Sequence, residues 1–156
     1  VSWVAVENFH VTLKFLGEID EARVAPVIEA FTAAVARHAP FTIDVGGLGA
    51  FPSATRARVL WAGIGAGAGA LGALAATVET ALAAIGFPRE ERAFSPHITL
   101  GRVRDPRRLP ALAEALAAGA AARFGQVKVD EVALMRSDLS PRGARYTPLA
   151  GCRLSS

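Results

Sequence analysis

Two of the three histidines in this 156-residue chain stand in one frame, His10-Val-Thr-Leu and His97-Ile-Thr-Leu, 87 positions apart. On a β-strand, residues i and i+2 point to the same side. His10 would therefore project with Thr12, and His97 with Thr99, while Val11, Leu13, Ile98 and Leu100 turn toward a core. Each frame then offers an imidazole and a hydroxyl from a rigid element. If the two strands are neighbours, two imidazoles and two hydroxyls share one cleft. An imidazole titrates near neutrality, so one ring can take a proton from water while the other gives one to a leaving oxygen. Hydroxyls can hold non-bridging phosphate oxygens, and charge relieved in this way needs no metal. Transfer at a phosphodiester suits the set.

One such frame alone arises readily by chance; the second copy, in the same period-2 phase, carries the weight. Zinc fits less well, because catalytic sites take three protein ligands and structural sites four. Only His38 remains, at the end of a predicted helix, where a structural or solvent-exposed role is expected. Neither a metal nor a cofactor is expected.

The elements that must position these residues follow from periodicity. Residues 9–16 alternate as a strand ended by Gly17, and a helix runs from an Asp20 cap to about His38, its regular part starting near Pro26. Residues 41–45 and 58–64 read as strands separated by a Gly-rich turn and a loop holding Phe51. A helix over 71–85 stops at Gly86. Strand 94–103 carries the second frame, and a helix spans 108–122 behind the basic run Arg104–Arg108, which is expected to be a solvated helix entrance. Strands 127–134 and 146–154 close the chain around a loop with Ser140-Pro-Arg-Gly. The order predicts α+β with a mostly antiparallel sheet, and the recurring His frame suggests a weak internal duplication.

A chain of this length can bury roughly two thirds of its unfolded surface without disulfides or structural metal. The lone cysteine, Cys152, cannot form an internal disulfide, and a buried or edge-strand thiol is expected. No apolar run has the length of a membrane span and no signal peptide is evident, so the cytoplasm is expected. Net charge is +3, with fifteen arginines against two lysines. Part of that excess fits a GC-rich codon bias, and the remainder favours polyanionic partners such as RNA or nucleotides.

The frames and their surroundings, NFHVTLKFLGEI, GLGAFPSATRARVLWAGI, FSPHITLGRV and MRSDLSPRGARYTPL, resemble the 2H phosphoesterases over nearly the whole chain, in particular the RNA 2′,3′-cyclic phosphodiesterase branch, also named 2′-5′ RNA ligases. The resemblance implies a two-lobed α+β fold of mostly antiparallel sheets. It further implies pseudo-twofold duplication, helices on the outer faces, and a central cleft with one His motif from each lobe. It implies metal-independent hydrolysis of RNA 2′,3′-cyclic phosphate ends to a 2′-phosphate, with 2′-5′ ligation as the reverse direction. His10 would be the proton donor to the departing 3′ oxygen, His97 the acceptor that activates water, and Thr12 and Thr99 the holders of phosphate oxygens. Arg102 would reach a phosphate, Phe51 is a candidate base-stacking platform, and Tyr146 a candidate cleft residue. RNA ends or nucleoside 2′,3′-cyclic phosphates would be the partners of a monomer, with neither membrane nor obligate protein partner. The family pattern opens with a further strand and helix that this sequence lacks; residues 1–156 are expected to form one such domain, with upstream residues missing from it.

Two other functions compete. A non-catalytic RNA- or nucleotide-binding module would keep the cleft without turnover. Gly67-Ala-Gly69-Ala-Leu-Gly72 matches the dinucleotide fingerprint between a strand and a helix, but no acidic residue ends a following apolar strand. Trp3 and Trp61 read as core or rim aromatics.

Overall fold

The computed structural model describes residues 1–105 and 109–155, so Arg107 and Arg108 of the expected basic helix entrance lie outside the described residues. Among the described residues there are seven strands: β1 (Ser2–Trp3), β2 (Phe41–Phe51), β3 (Val59–Ile64), β4 (His97–Arg102), β5 (Arg123–Val129), β6 (Glu131–Ser140) and β7 (Gly143–Arg153). Three α-helices accompany them: α1 (Val24–Val35), α2 (Ala68–Ala83) and α3 (Pro110–Ala118). The protein is α+β, and contacts divide it into two compact units. The first holds Val1–Thr12, Ile43–Ala68 and Pro96–Val127; the second holds the remainder.

In the first unit a five-stranded sheet has the order β1-β4-β3-β2-β5. Leu60 and Ala62 of β3 are buried and Leu48 and Ala50 of β2 lie opposite them, with Leu60, Leu48 and Ala50 packing with Val103, Leu112 and Leu116. One face of the sheet is thus closed by α3 and its flanks. The other carries Val59, Trp61 and Gly63 by strand alternation. The glycines of β2, expected to make a turn, instead continue the strand to Phe51. Gly47 takes a φ of +79° where the register shifts between Gly46 and Leu48. Close approaches explain Gly46 and Gly49. A side chain at Gly46 would meet the Ala122 carbonyl, and one at Gly49 would collide with the Trp61 indole.

In the second unit α1 and α2 pack with the β6–β7 hairpin. Val27, Phe31 and Val35 meet Leu74, Val78 and Leu82 at helical spacing, joined by Phe87, Cys152 and Leu154. Pro26 sits in the first turn of α1, as expected, preceded by a 3-10 turn at Glu21–Arg23; Asp20 flanks that turn without a side-chain cap bond. The Thr77 hydroxyl donates to the Ala73 carbonyl at 3.0 Å, so it must accept from His38 Nε2 at 2.8 Å. Of the structural and solvent-exposed roles expected for His38, the hydrogen bond fits the structural one: it ties the turn after α1 to α2. Cys152 is buried. Among the described residues no helix is long and apolar enough to cross a membrane.

Residues 9–16 depart from the expected strand. Only Val11 forms a bridge, to Ile98, and beyond it Leu13 and Leu16 pack into the helical core of the second unit. Lys14 follows them inward, its side chain 4 % exposed, and donates to Glu79 at 2.7 Å and to the Pro88 carbonyl at 3.0 Å. Burial would raise the Glu79 carboxyl, but the Lys14 hydrogen bond, the Glu90 backbone N–H and the charges of Lys14 and Arg89 together hold it below its ordinary value. A carboxylate so depressed stabilises the fold above its unfolded pKa and loses that contribution as pH falls through the folded one. Glu79→Gln is therefore expected to destabilise the protein near neutrality by about 2 kcal/mol, chiefly by leaving the Lys14 ammonium buried without its anion. Melting curves should show the gap between variant and wild type closing as pH falls through and below the ordinary carboxylate range. A gap that widens on acidification would contradict the pairing.

Candidate active site

The two histidine frames meet on β4. The N-terminal segment runs antiparallel along the edge of β4 not occupied by β3. Ser2 faces Arg102, Trp3 faces Gly101, and the Val4 N–H donates to the Leu100 carbonyl at 2.8 Å. Further along, Val11 bridges Ile98. Nine residues thus advance on this segment, from 2 to 11, against four on β4, from 102 to 98. The surplus is taken up by a detour containing the 3-10 turn Val6–Asn8. That detour has a chemical use. The Asn8 carbonyl stands 2.7 Å from His10 Nδ1, and because a carbonyl only accepts, Nδ1 carries the proton.

Directly paired antiparallel residues point to the same face, so Val11 and Ile98 share the face of Ala62, which pairs with Ile98. By strand alternation His97 and Thr99 take the opposite face, and an extended path through the bridge sends His10 and Thr12 there too. Pairing through the bridge sets His10 across from Thr99 and Thr12 across from His97, with the two imidazoles on a diagonal whose Cα atoms are typically about 7–8 Å apart. Two imidazoles on such a diagonal can bracket one phosphate. His97 and Thr99 are half-buried, whereas His10 and Thr12 are exposed. Both frames fall within the first unit, whose boundary runs just after Thr12, where the resemblance implies one frame per lobe.

Arg102 reaches the same face through an irregularity. Simple alternation from His97 would turn it away, since 97, 99 and 101 would share a side. Yet Trp61 pairs with Thr99 and Leu60 with Gly101, leaving Leu100 as an extra residue on β4. Arg102 then pairs with Val59, which shares the face of Trp61. Phe51 also pairs with Val59, and its ring lies 5.1 Å from the His97 ring and 5.4 Å from Trp61, centroid to centroid. By this pairing and alternation Phe51, Val59, Trp61, His97, Thr99 and Arg102 share one sheet face, and an extended path through the Val11 bridge adds His10 and Thr12.

A profile of the 2′-5′ RNA ligase superfamily matches residues 4–141. The chain belongs to that superfamily. An RNA 2′,3′-cyclic phosphodiesterase of Aeropyrum pernix is 40 % identical over 150 residues, covering 96 % of this chain and 84 % of the relative. Among solved structures, TT0787 of Thermus thermophilus superposes with a TM-score of 0.79 at 28 % identity, over 97 % of this chain and 81 % of that one. Escherichia coli LigT complexed with 3′-AMP superposes with a TM-score of 0.77, also at 28 % identity, over 99 % of this chain and 81 % of LigT.

Within this member of the 2′-5′ RNA ligase superfamily, the remaining sequence candidates separate. Tyr146 is half-buried in the second unit, on β7 opposite Ser137. The Gly67–Gly72 match does open α2, with Gly67 at a φ of +90°. However, β3 and β4 on either side of that helix pair antiparallel, so the parallel βαβ crossover that a dinucleotide fingerprint requires is not formed there. Trp61, expected from sequence in the core or at a rim, belongs to the candidate face. Its signal is the glycine paired with it across β2 and β3, Gly49, which leaves space for an indole.

Proposed function

We propose that the protein hydrolyses RNA 2′,3′-cyclic phosphate ends to 2′-phosphates, and that 2′-5′ joining is the same displacement with a 5′-hydroxyl in place of water. The observation that carries this reading is the Val11–Ile98 bridge, which supports two imidazoles and two hydroxyls on one sheet face. The activity named for the Aeropyrum relative and the 3′-AMP bound by LigT agree with it.

In this mechanism His97 accepts a proton from the attacking water and the P–O3′ bond breaks. His10 Nε2 delivers a proton to the departing 3′ oxygen, so protons balance across the pair. Thr12 and Thr99 donate to the non-bridging oxygens, and the Arg102 guanidinium offsets their charge. The reading includes the monomer and the cytoplasmic setting expected from the sequence.

The test is product analysis. An oligonucleotide ending in a 2′,3′-cyclic phosphate, incubated with the protein in EDTA, should yield the 2′-phosphate alone. Appearance of the 3′-phosphate would reverse the assignment of the leaving oxygen. Tight binding of the oligonucleotide without turnover would favour the non-catalytic binding module, and loss of activity on chelation would reinstate a metal.

A further inference from the structure

The sequence offers Phe51 as a surface for stacking a base, but its contacts point inward along the sheet. Its ring stands at 85° to the His97 imidazole with centroids 5.1 Å apart, so the edge of one meets the face of the other. Behind it, Trp61 lies 5.4 Å away at a 39° tilt. Trp61 in turn occupies the space over Gly49, where any side chain would collide with it. Gly49, Trp61, Phe51 and His97 form a contact series on three adjacent strands. Phe51 is 37 % exposed, so more than half of its surface is engaged.

This series bears on the rotation of the His97 ring. The terminal torsion of a histidine is a broad, roughly two-fold rotor that its backbone does not fix. A proton acceptor must nonetheless stand within hydrogen-bond reach of its water, and a displacement of about 1 Å can cost on the order of 100-fold in rate.

We infer that Phe51 is a positioning residue for His97: its ring, braced by Trp61 over Gly49, fixes the rotation of the imidazole that handles the proton. The inference rests on the phosphodiesterase reading above. A base platform and a positioning residue make different demands on the substrate. The first matters only when a base is present and acts on KM. The second matters with or without a base and acts on kcat.

The experiment compares cytidine 2′,3′-cyclic phosphate with methyl riboside 2′,3′-cyclic phosphate, which has no base. Phe51→Leu keeps an apolar side chain but loses the ring, and Phe51→Tyr keeps the ring. Phe51→Leu is expected to lower kcat by about 10-fold on both substrates with KM within about twofold, and Phe51→Tyr to restore kcat. A Phe51→Leu defect seen only with the cytidine substrate, or chiefly in KM, overturns the inference in favour of stacking. Unchanged kinetics in Phe51→Leu overturn it outright. Wild-type protein that turns over neither substrate would instead defeat the phosphodiesterase reading itself, so the two failures are told apart.

Discussion

His10→Ala and His97→Ala are each expected to lower kcat for cyclic phosphate hydrolysis by about 10²–10⁴-fold, the usual contribution of a positioned general acid or base. KM should change little, because an imidazole that moves a proton acts mainly in the transition state. The double variant should be little worse than the poorer single one, since each proton transfer is of use only with the other. Under the proposed mechanism wild-type activity should rise and then fall with pH, because one ring acts neutral and the other protonated. The acid and the base are distinguished by the leaving group. An aryl phosphodiester, whose phenolate departs without protonation, should be cleaved by His10→Ala far better than by His97→Ala. The opposite ranking would exchange their roles, and full activity in either single variant would end the two-histidine mechanism.

Where the sequence is legible, one physical rule suffices. Period-2 alternation puts His97 with Thr99 on a strand, and β4 spans His97–Arg102 as that pattern demands. Helical spacing in Val27, Phe31 and Val35 likewise places the buried stripe of α1. Arg102 shows the limit of alternation. Its spacing from His97 is odd, so a regular strand would send it to the covered face, and only the extra residue at Leu100 brings it round. A bulge is a property of two strands in register, and no local pattern announces it. The first frame fails differently: Val11, Leu13 and Leu16 are all apolar, yet Val11 serves the sheet bridge while Leu13 and Leu16 serve a helical core. An apolar residue records that it is buried, not against what. Glycine misleads in β2 for a related reason. Gly46 and Gly49 suggest a turn, although what they supply is room for the Ala122 carbonyl and the Trp61 indole.

Thr99→Val should cost about 100-fold in kcat, and more than Thr12→Val. Removing one preorganised donor to a developing oxyanion typically costs on the order of 10²–10³-fold. Valine keeps the β-branched shape and strand preference of threonine, so the substitution removes the hydroxyl while leaving β4 able to form. The asymmetry follows from how each threonine is held. Thr99 is half-buried in β4, paired with Trp61 on one side and next to the residue that bridges Val11, so its backbone is held before substrate arrives. Thr12 is exposed, at the point where the chain leaves β4. A donor that must be immobilised during the reaction contributes less than one already in place. Steady-state kinetics on cytidine 2′,3′-cyclic phosphate measure both, with serine variants as controls that return the hydroxyl. Thr99→Ser should regain most of the lost rate, and a Thr99→Ser variant as slow as Thr99→Val would show that the methyl group, not the hydroxyl, supports turnover. Equal losses at the two threonines would mean that substrate binding, rather than the strand, sets the geometry of the phosphate cradle.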